Sequence, residues 1–293
     1  MIGIVLALLS GAIGGLSVVF VRKVSSKSSE SNALTISIII TLTGNIVLWP
    51  IAVLFADLGN VNFQGVLLFA LAGALAPGVG RLLYYKGLQT IGASVNASIF
   101  AINPMFSSMF AFLLLGEVLS PENWIGIVCI VAGVVFVERS LSEPKAGSKR
   151  IFKKGLVFPL IATLTIALSV VFRKHGLNIY NEPLLGVAIG YSLSFLLYLL
   201  LLISSRTTGG SRFSGKDFRL FWKAGVCLSL GWVLSFYALS YDRVSIVAPL
   251  VETVPLFVLF FAYLYLKEIE HVSFKLITST LLIVIGAVLV SVR

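Results

Sequence analysis

An acidic residue stands deep inside an apolar stretch of this chain. Glu252 falls about two helical turns into the run that covers 245–266, and Pro249 and Pro255 lie on either side of it. Moving a charge away from water is costly unless it is compensated, and each proline removes a backbone hydrogen-bond donor from a helix. The pattern predicts a carboxylate that meets a proton, an ion or a substrate amine at an interrupted helix. The alternative is a neutral or paired carboxylate with a structural role only.

A basic residue occupies a comparable position in the first half of the chain. Arg81 lies in the stretch GVGRLLYYKG, near the end of the apolar run that covers 64–86. A guanidinium in a cavity can bind a carboxylate or a phosphate, whereas the same long side chain can also extend to an aqueous interface. The sequence is compatible with both interpretations.

Aromatic and amide side chains accompany these charges. Tyr84, Trp232 and Tyr237 lie in the third and eighth apolar runs, where aromatic rings either line a pocket or form an interfacial belt. Asn96 and Asn103 lie in the fourth run, where an amide binds a ligand or a neighbouring helix. We therefore expect substrate-binding residues among Arg81, Tyr84, Asn96, Asn103, Trp232, Tyr237 and Glu252, and helix interruptions at Pro104, Pro249 and Pro255.

The composition defines the solvent in which these residues must be placed. The chain has 293 residues, of which 58% are hydrophobic and 12% charged, and its mean hydropathy is +1.03. A typical globular domain is roughly a quarter charged, so much of the usual polar surface is missing. Apolar runs of about 20 residues can cross a hydrocarbon core of about 30 Å, and these runs lack the alternation of a membrane barrel. We predict an all-α integral membrane protein of the cell membrane, with the lipid bilayer as a partner.

Several function classes are disfavoured by the same composition. The net charge of +10 would favour nucleic acid in a soluble protein, but here the cations cluster in short loops between apolar runs. Cys129 and Cys227 lie inside apolar runs, which argues against a disulfide framework or a metal site. The sequence contains no GxxxxGK[ST], HExxH or GxSxG motif. We expect no nucleic-acid partner, no metal, no cofactor and no enzymatic activity.

The apolar runs divide into ten segments of helical length. We number them 1 to 10, and they lie near residues 2–21, 33–56, 64–86, 94–116, 122–138, 155–172, 183–204, 218–240, 245–266 and 273–292. The polar stretch ERSLSEPKAGSKRIFKK separates segment 5 from segment 6. We predict a first five-helix repeat at 1–139, a polar linker at 140–154 and a second, inverted five-helix repeat at 155–293.

The two halves repeat each other in sequence. PMFSSMFAFLLLGE at 104–117 aligns without a gap on PLFVLFFAYLYLKE at 255–268, and half of the positions are identical. At the same offset the basic pair at 22–23 aligns with the pair at 173–174, and each pair follows an SVVF string. Matched prolines, acids and basic pairs are stronger signs of an internal repeat than matched leucines.

The loop charges indicate that the halves are inverted. Most of the 22 Lys and Arg residues lie in the loops after segments 1, 3, 5, 7 and 9, so the positive-inside rule places these loops in the cytoplasm and both termini outside. Interrupted helices at matched positions of inverted repeats point to a binding site at the midplane. The basic pairs after the SVVF strings either anchor helix ends or attract an anionic substrate at the two mouths of the path, and they comprise Arg22, Lys23, Arg173 and Lys174.

Together these features resemble the drug/metabolite transporter superfamily, in its ten-helix EamA-type branch. The resemblance rests on the basic residue that closes segments 1 and 6, on NPMFSSMFAFLLLGEVLSPENWIGIVCIVAGVVFV, and on the second copy PLFVLFFAYLYLKE. It implies a secondary transporter without an ATPase, with a cavity formed mainly by segments 1, 3, 4, 6, 8 and 9. Two features depart from the superfamily. Members are generally drawn with their termini inside, and segment 1 here lacks the glutamate that exchanges drug for protons in the four-helix relatives.

We therefore expect a secondary active transporter that moves a small metabolite, an amino acid or another organic ion, by alternating access. Coupling to a proton or another ion through Glu252 is compatible with the sequence, as is a monomer or a homodimer. A second transport hypothesis is a translocator of a phosphorylated lipid or nucleotide-sugar, with Arg22 and Arg173 as phosphate contacts. A hypothesis of another class is a non-transporting membrane scaffold or receptor, which would leave the buried charges beside interrupted helices unexplained.

Overall fold

The computed structural model of the protein describes residues 1–25, 33–91, 96, 99–140, 155–206, 215–266 and 274–291. Regular structure within these residues is helical, and they include no β-strand. The helices are α1 (Ile2–Ser25), α2 (Ala33–Phe55), α3 (Phe63–Gly73), α4 (Gly80–Ile91), α5 (Asn103–Leu115), α6 (Pro121–Ser140), α7 (Val157–Ile179), α8 (Pro183–Arg206), α9 (Gly215–Tyr241), α10 (Val244–Val251), α11 (Val254–Leu266) and α12 (Phe274–Ser291).

The outer surface of the helices is apolar. Leu54, Phe63 and Val118 are 76%, 78% and 71% exposed, an arrangement that is stable in lipid and unfavourable in water. Among the described residues, six helical stretches are long and apolar enough to cross a membrane. They are Ile2–Val21, Leu34–Phe55, Phe63–Gly87, Val157–Ile179, Pro183–Ser204 and Asp217–Tyr241. The all-α fold class is confirmed, and the protein is a multi-pass membrane protein, while ten crossings in two inverted repeats stay a prediction.

Segment 3 is interrupted rather than continuous. A π-helical stretch, Ala74–Val79, separates α3 from α4, and Ala76 and Gly78 within it have non-helical backbone angles. Pro77 lacks an N–H group, so the regular ladder cannot continue through it. Within a membrane, carbonyls released in this way must find other donors.

Hydroxyl groups of α7 and α8 supply those donors. Ser169 Oγ donates to the Ala72 carbonyl at 2.8 Å, and Ser194 Oγ donates to the Gly73 carbonyl at 2.8 Å. The Tyr198 hydroxyl donates to the carbonyls of Pro77 and Gly78. The interruption is therefore stabilised by two helices from the other half of the sequence.

Segments 4 and 9 are interrupted at matched positions. In segment 9 a turn at Glu252 and Thr253 separates α10 from α11, and in segment 4 a turn at Ala101 and Ile102 precedes α5. At the offset that aligns Pro104 with Pro255, the two turns coincide. Both α5 and α11 thus begin with a proline in their first turn, where its missing N–H is tolerated.

Helices α1 and α7 occupy equivalent places. α7 packs against α3, α4 and α5, whereas α1 packs against α9, α10 and α11. Ser17 Oγ on α1 donates to the Ala224 carbonyl of α9 at 2.8 Å, as Ser169 does to Ala72. The serine of each SVVF string therefore joins one half of the chain to the other.

The structure corrects one segment boundary. We predict segment 6 to end near residue 172, but α7 continues to Ile179. The predicted segment ends at the first charged residue, because the prediction follows apolarity alone. The helix itself continues, because Arg173 has contacts inside the protein. Of the predicted linker at 140–154, residues 141–154 lie outside the described part of the chain.

Candidate functional site

Arg173 lies inside the protein rather than at a helix end. It is 4% exposed, and its guanidinium carbon lies 3.9 Å from the centre of the Trp232 ring and 5.6 Å from that of Phe236. Nε and Nη2 donate to Ser169 Oγ at 3.2 and 3.0 Å. Stacking on an aromatic face compensates part of the desolvation of a buried guanidinium. Arg173 is therefore a buried charge, and its predicted place at a mouth of the path stays a prediction.

A small pocket surrounds this guanidinium, and we call it the Arg173 pocket. It is lined by Gly73, Ala76, Arg173, Val187, Gly190, Tyr191, Trp232 and Phe236. The pocket is too narrow in this conformation to admit a water molecule. Because the lining residues belong to α3, the π-helical stretch, α7, α8 and α9, relative movement of these helices would widen it.

Glu252 forms a hydrogen bond that joins the two interruptions. Asn103 Nδ2, at the start of α5, donates to Glu252 Oε1 at 2.7 Å. Asn103 is fully buried at 1% exposure, and Glu252 is half-buried. Glu252 also attracts Arg173 electrostatically. The Glu252 carboxylate, in the turn after α10, therefore interacts both with the first turn of α5 and with the charged side chain of α7.

Arg81 approaches the same region from α4. It is half-buried, it acts electrostatically on Arg173, and the Tyr191 hydroxyl of α8 lies beside it. Within the described part of the chain, neither Nη1 of Arg81 nor the buried hydroxyl of Tyr191 has a hydrogen-bond partner. The two groups face each other without a well-aligned hydrogen bond. Buried polar atoms normally find partners, so this incompletely bonded pair is a sign of a ligand position.

Polar atoms of α5 extend this region. The hydroxyls of Ser107 and Ser108 are buried, as is Oδ1 of Asn103, and none of the three has a hydrogen-bond partner among the residues the structure describes. Ser107 lies one turn after Asn103, so the two side chains share a face of α5. The arrangement offers donors and acceptors for a small polar molecule, together with two guanidinium groups and one carboxylate.

Three further predicted residues have other contacts. The Tyr84 ring packs edge-on against Phe100, with ring centres 5.0 Å apart. Asn96 is buried against Gly87 of α4, where an added Cβ would overlap with Asn96 Oδ1. Lys174 donates to the Leu239 carbonyl at 2.7 Å.

The remaining predicted residues contribute less to this region. Tyr237 is half-buried on α9 and does not line the Arg173 pocket. The side chains of Arg22 and Lys23 lie outside the described part of the structure. Among the described residues, no group of three or more His, Cys, Asp or Glu side chains could hold a metal ion.

A second polar cluster joins the end of α5 to the start of α10. Oε1 of Glu117 accepts from the Val244 N–H at 2.8 Å, and Oε2 accepts from Ser245 N–H and Oγ at 3.0 and 2.8 Å. A carboxylate at a helix N-terminus satisfies N–H groups that lack intrahelical partners and interacts favourably with the helix dipole. Glu117 is thus the cap of a helix in the other half of the chain.

Sequence reasoning missed Tyr191, Ser169 and Glu117 as functional contacts. Two of them carried a signal, because Ser169 belongs to the duplicated SVVF string and Glu117 aligns with Glu268. Tyr191 lies in an ordinary apolar segment, and nothing local distinguishes it from a packing residue.

Comparison with known proteins gives matches along most of the chain. The EamA-like transporter family model matches residues 1–139 and 153–292. An uncharacterized transporter of Clostridium kluyveri is 25% identical over 281 residues, which cover 91% of this chain and 86% of that protein. An uncharacterized transporter of Archaeoglobus fulgidus is 22% identical over 231 residues, covering 78% and 77%. A solved crystal structure with 14% identity has a TM-score of 0.78 over 97% of this chain and 96% of the other, which shows a shared fold.

Proposed function

Because the chain belongs to the EamA-like transporter family, we propose that it is a secondary active transporter that moves a small organic ion, such as an amino acid or another metabolite, by alternating access. Family membership confirms the resemblance inferred from the sequence. The protein is a membrane transporter with a small-molecule substrate.

One observation supports the finer proposal most strongly. The Asn103–Glu252 hydrogen bond of 2.7 Å connects two helix interruptions at matched positions of the two halves. Interrupted helices leave backbone groups that can bind a substrate or a coupling ion, and a carboxylate at that point can exchange a proton. We therefore propose that substrate binds between Glu252 and the Arg173 pocket, and that Glu252 links transport to a proton gradient.

The architecture that we propose for this process is two inverted five-helix halves. The separate family matches to residues 1–139 and 153–292 support this architecture. The equivalent packing of α1 and α7 supports it too. Rocking of one half against the other would widen the narrow Arg173 pocket towards each side in turn. The loop charges favour both termini outside.

The alternative cargo, a phosphorylated lipid or nucleotide-sugar, is supported by the buried Arg173 and by Arg81. It is disfavoured by the carboxylate of Glu252, which would repel a phosphate group. We retain it as an outcome of the transport test, as we do a non-transporting scaffold.

The test is uptake and efflux of labelled metabolites in proteoliposomes, with and without a pH gradient. The panel contains amino acids, carboxylic acids, amines and nucleotide-sugars, and protein-free liposomes serve as the control. We expect gradient-dependent flux of a small organic ion above the control. Flux of nucleotide-sugars alone would favour the alternative cargo, and flux equal to the control for the whole panel would contradict transport.

A further inference from the structure

We infer that the Arg173 pocket, together with Arg81 and Tyr191, is an anion-binding subsite that takes the carboxylate group of the transported molecule. This inference rests on the proposed function and adds the chemical class of the substrate. It follows from the charges and the hydrogen-bond donors at the pocket.

Two cations lie here without a matching number of anions. Arg173 is 4% exposed, and Arg81 acts on it electrostatically with the sign of repulsion. Glu252 attracts Arg173, but one oxygen of its carboxylate already accepts from Asn103. Because buried positive charge without a full counter-charge is unfavourable, an anion bound at these guanidinium groups would be stabilised.

Three hydrogen-bonding groups lie at this position, and the Arg173 guanidinium among them is held in place. Nη1 of Arg81 and the Tyr191 hydroxyl are buried and have no hydrogen-bond partner within the described residues. The Arg173 guanidinium is held on the face of Trp232 and by Ser169. Guanidinium and phenol groups donate to carboxylate oxygens with favourable geometry, and a donor that is fixed in advance loses little entropy on binding.

The charge balance favours a carboxylate over a phosphate. When Glu252 is ionised, its carboxylate and the two guanidinium groups leave one positive charge, which a monoanion neutralises. A phosphate monoester with two negative charges would leave the buried site with an excess of negative charge, and uncompensated buried charge is strongly unfavourable.

The test is direct binding to the purified protein in detergent, which does not require transport. The probes are butyrate, butylammonium, butanol and butyl phosphate at constant ionic strength. Binding is followed by tryptophan fluorescence and by the midpoint of thermal unfolding. We expect butyrate alone to change both signals.

Matched variants assign the binding to this pocket. Arg173→Met and Arg81→Met should each weaken butyrate binding about tenfold to a hundredfold, as expected for loss of a charge-assisted hydrogen bond. Arg173→Lys, which keeps the charge and loses the planar fork, should be intermediate. Lys86→Gln is the control, because Lys86 is an exposed cation of α4 whose Nζ lies 4.7 Å from the Phe158 ring centre. Size-exclusion profiles establish that each variant is folded, and the two Arg→Met variants test the inference independently.

Three outcomes would overturn the inference. The first is that butylammonium, butanol or butyl phosphate binds more strongly than butyrate. The second is that wild type and both folded Arg→Met variants bind butyrate equally, and the third is that folded wild type does not bind butyrate. Binding of butyrate without transport of any molecule would contradict the proposed function but not the anion-binding subsite. A protein that transports only molecules without a carboxylate group would contradict the subsite but not the transport function.

Discussion

Glu252 accepts a hydrogen bond, and we propose that it also carries a proton. Its carboxylate accepts from Asn103 at 2.7 Å and lies within the electrostatic influence of Arg173. A glutamine can replace the acceptor but cannot release or bind a proton near neutral pH. The two roles can therefore be separated by one substitution.

We expect Glu252→Gln to abolish the stimulation of uptake by a pH gradient, with a decrease of at least about tenfold, because the proton-binding group is lost. Exchange of labelled for unlabelled substrate without a gradient should persist, since the contact to Asn103 is retained. The measurement is uptake and counterflow in proteoliposomes. Glu122→Gln, at an exposed carboxylate of α6, is the matched control. Equal gradient stimulation in wild type and Glu252→Gln would show that Glu252 has no coupling role.

Glu117, which follows α5, connects that helix to the start of α10. Its two oxygens accept three hydrogen bonds from Val244 and Ser245. We expect Glu117→Ala to lower the free energy of unfolding by about 1–3 kcal/mol, because buried donors lose their acceptor. Thermal or denaturant unfolding in mild detergent measures this change. The control is Glu122→Ala, because Glu122 is also acidic but is exposed in the first turn of α6. This substitution should change the free energy of unfolding by less than about 0.5 kcal/mol. Equal effects of both substitutions would refute the capping role.

The crossing of α3 and α8 depends on a pair of glycines. A Cβ at Gly73 would overlap with backbone atoms of Gly190, and backbone cannot rotate aside as a side chain can. We expect Gly73→Ala to destabilise the protein by about 1–3 kcal/mol, as overpacking usually does.

Gly231→Ala provides the comparison for this crossing. Its Cβ would meet the nearest atom at 3.4 Å, an ordinary contact, and alanine favours the helix by about 0.5–1 kcal/mol. The two substitutions should change the unfolding free energy in opposite directions. A stabilising Gly73→Ala would mean that α3 and α8 are not in close contact.

The elements were predictable where a local pattern determines them. Segments of about 20 apolar residues were visible because a bilayer requires that length, and Glu252 was notable because a charge at such depth needs a reason. The interruption at Pro77 was missed, since its stability depends on hydroxyls of Ser169, Ser194 and Tyr198 that are distant in sequence. Small residues around Pro77 were compatible with close packing as well as with a break.

Burial of individual side chains was less predictable. An apolarity pattern treats Arg173 as the end of a helix, because it contains no information that Trp232 of α9 will cover the guanidinium. The duplicated SVVF string did indicate a shared role. That role is a contact between the halves, because the hydroxyls of Ser17 and Ser169 each donate to a carbonyl in the opposite half of the chain.

We propose an orientation of the whole molecule from its loop charges. The loop around Gly59 contains no Lys or Arg, whereas the stretch at 141–154 is rich in them. We expect a cysteine at Gly59 to react with an impermeant thiol reagent from outside intact cells, and one at Ser142 to react only after permeabilisation. Cys129 and Cys227 are replaced by serine in both variants. The reverse labelling pattern would invert the proposed topology.

We propose that the two halves of the molecule move by alternating access, and the accessibility of one buried position to each side of the membrane tests this proposal. Ser107 is fully buried on the face of α5 that also presents Asn103. In a background in which Cys129 and Cys227 are serine, Ser107→Cys is exposed to an impermeant thiol reagent on either side of oriented proteoliposomes. We predict slow labelling from both sides, with a pH gradient changing the ratio of the two rates. Labelling from neither side, or from one side only under every gradient, would contradict the account.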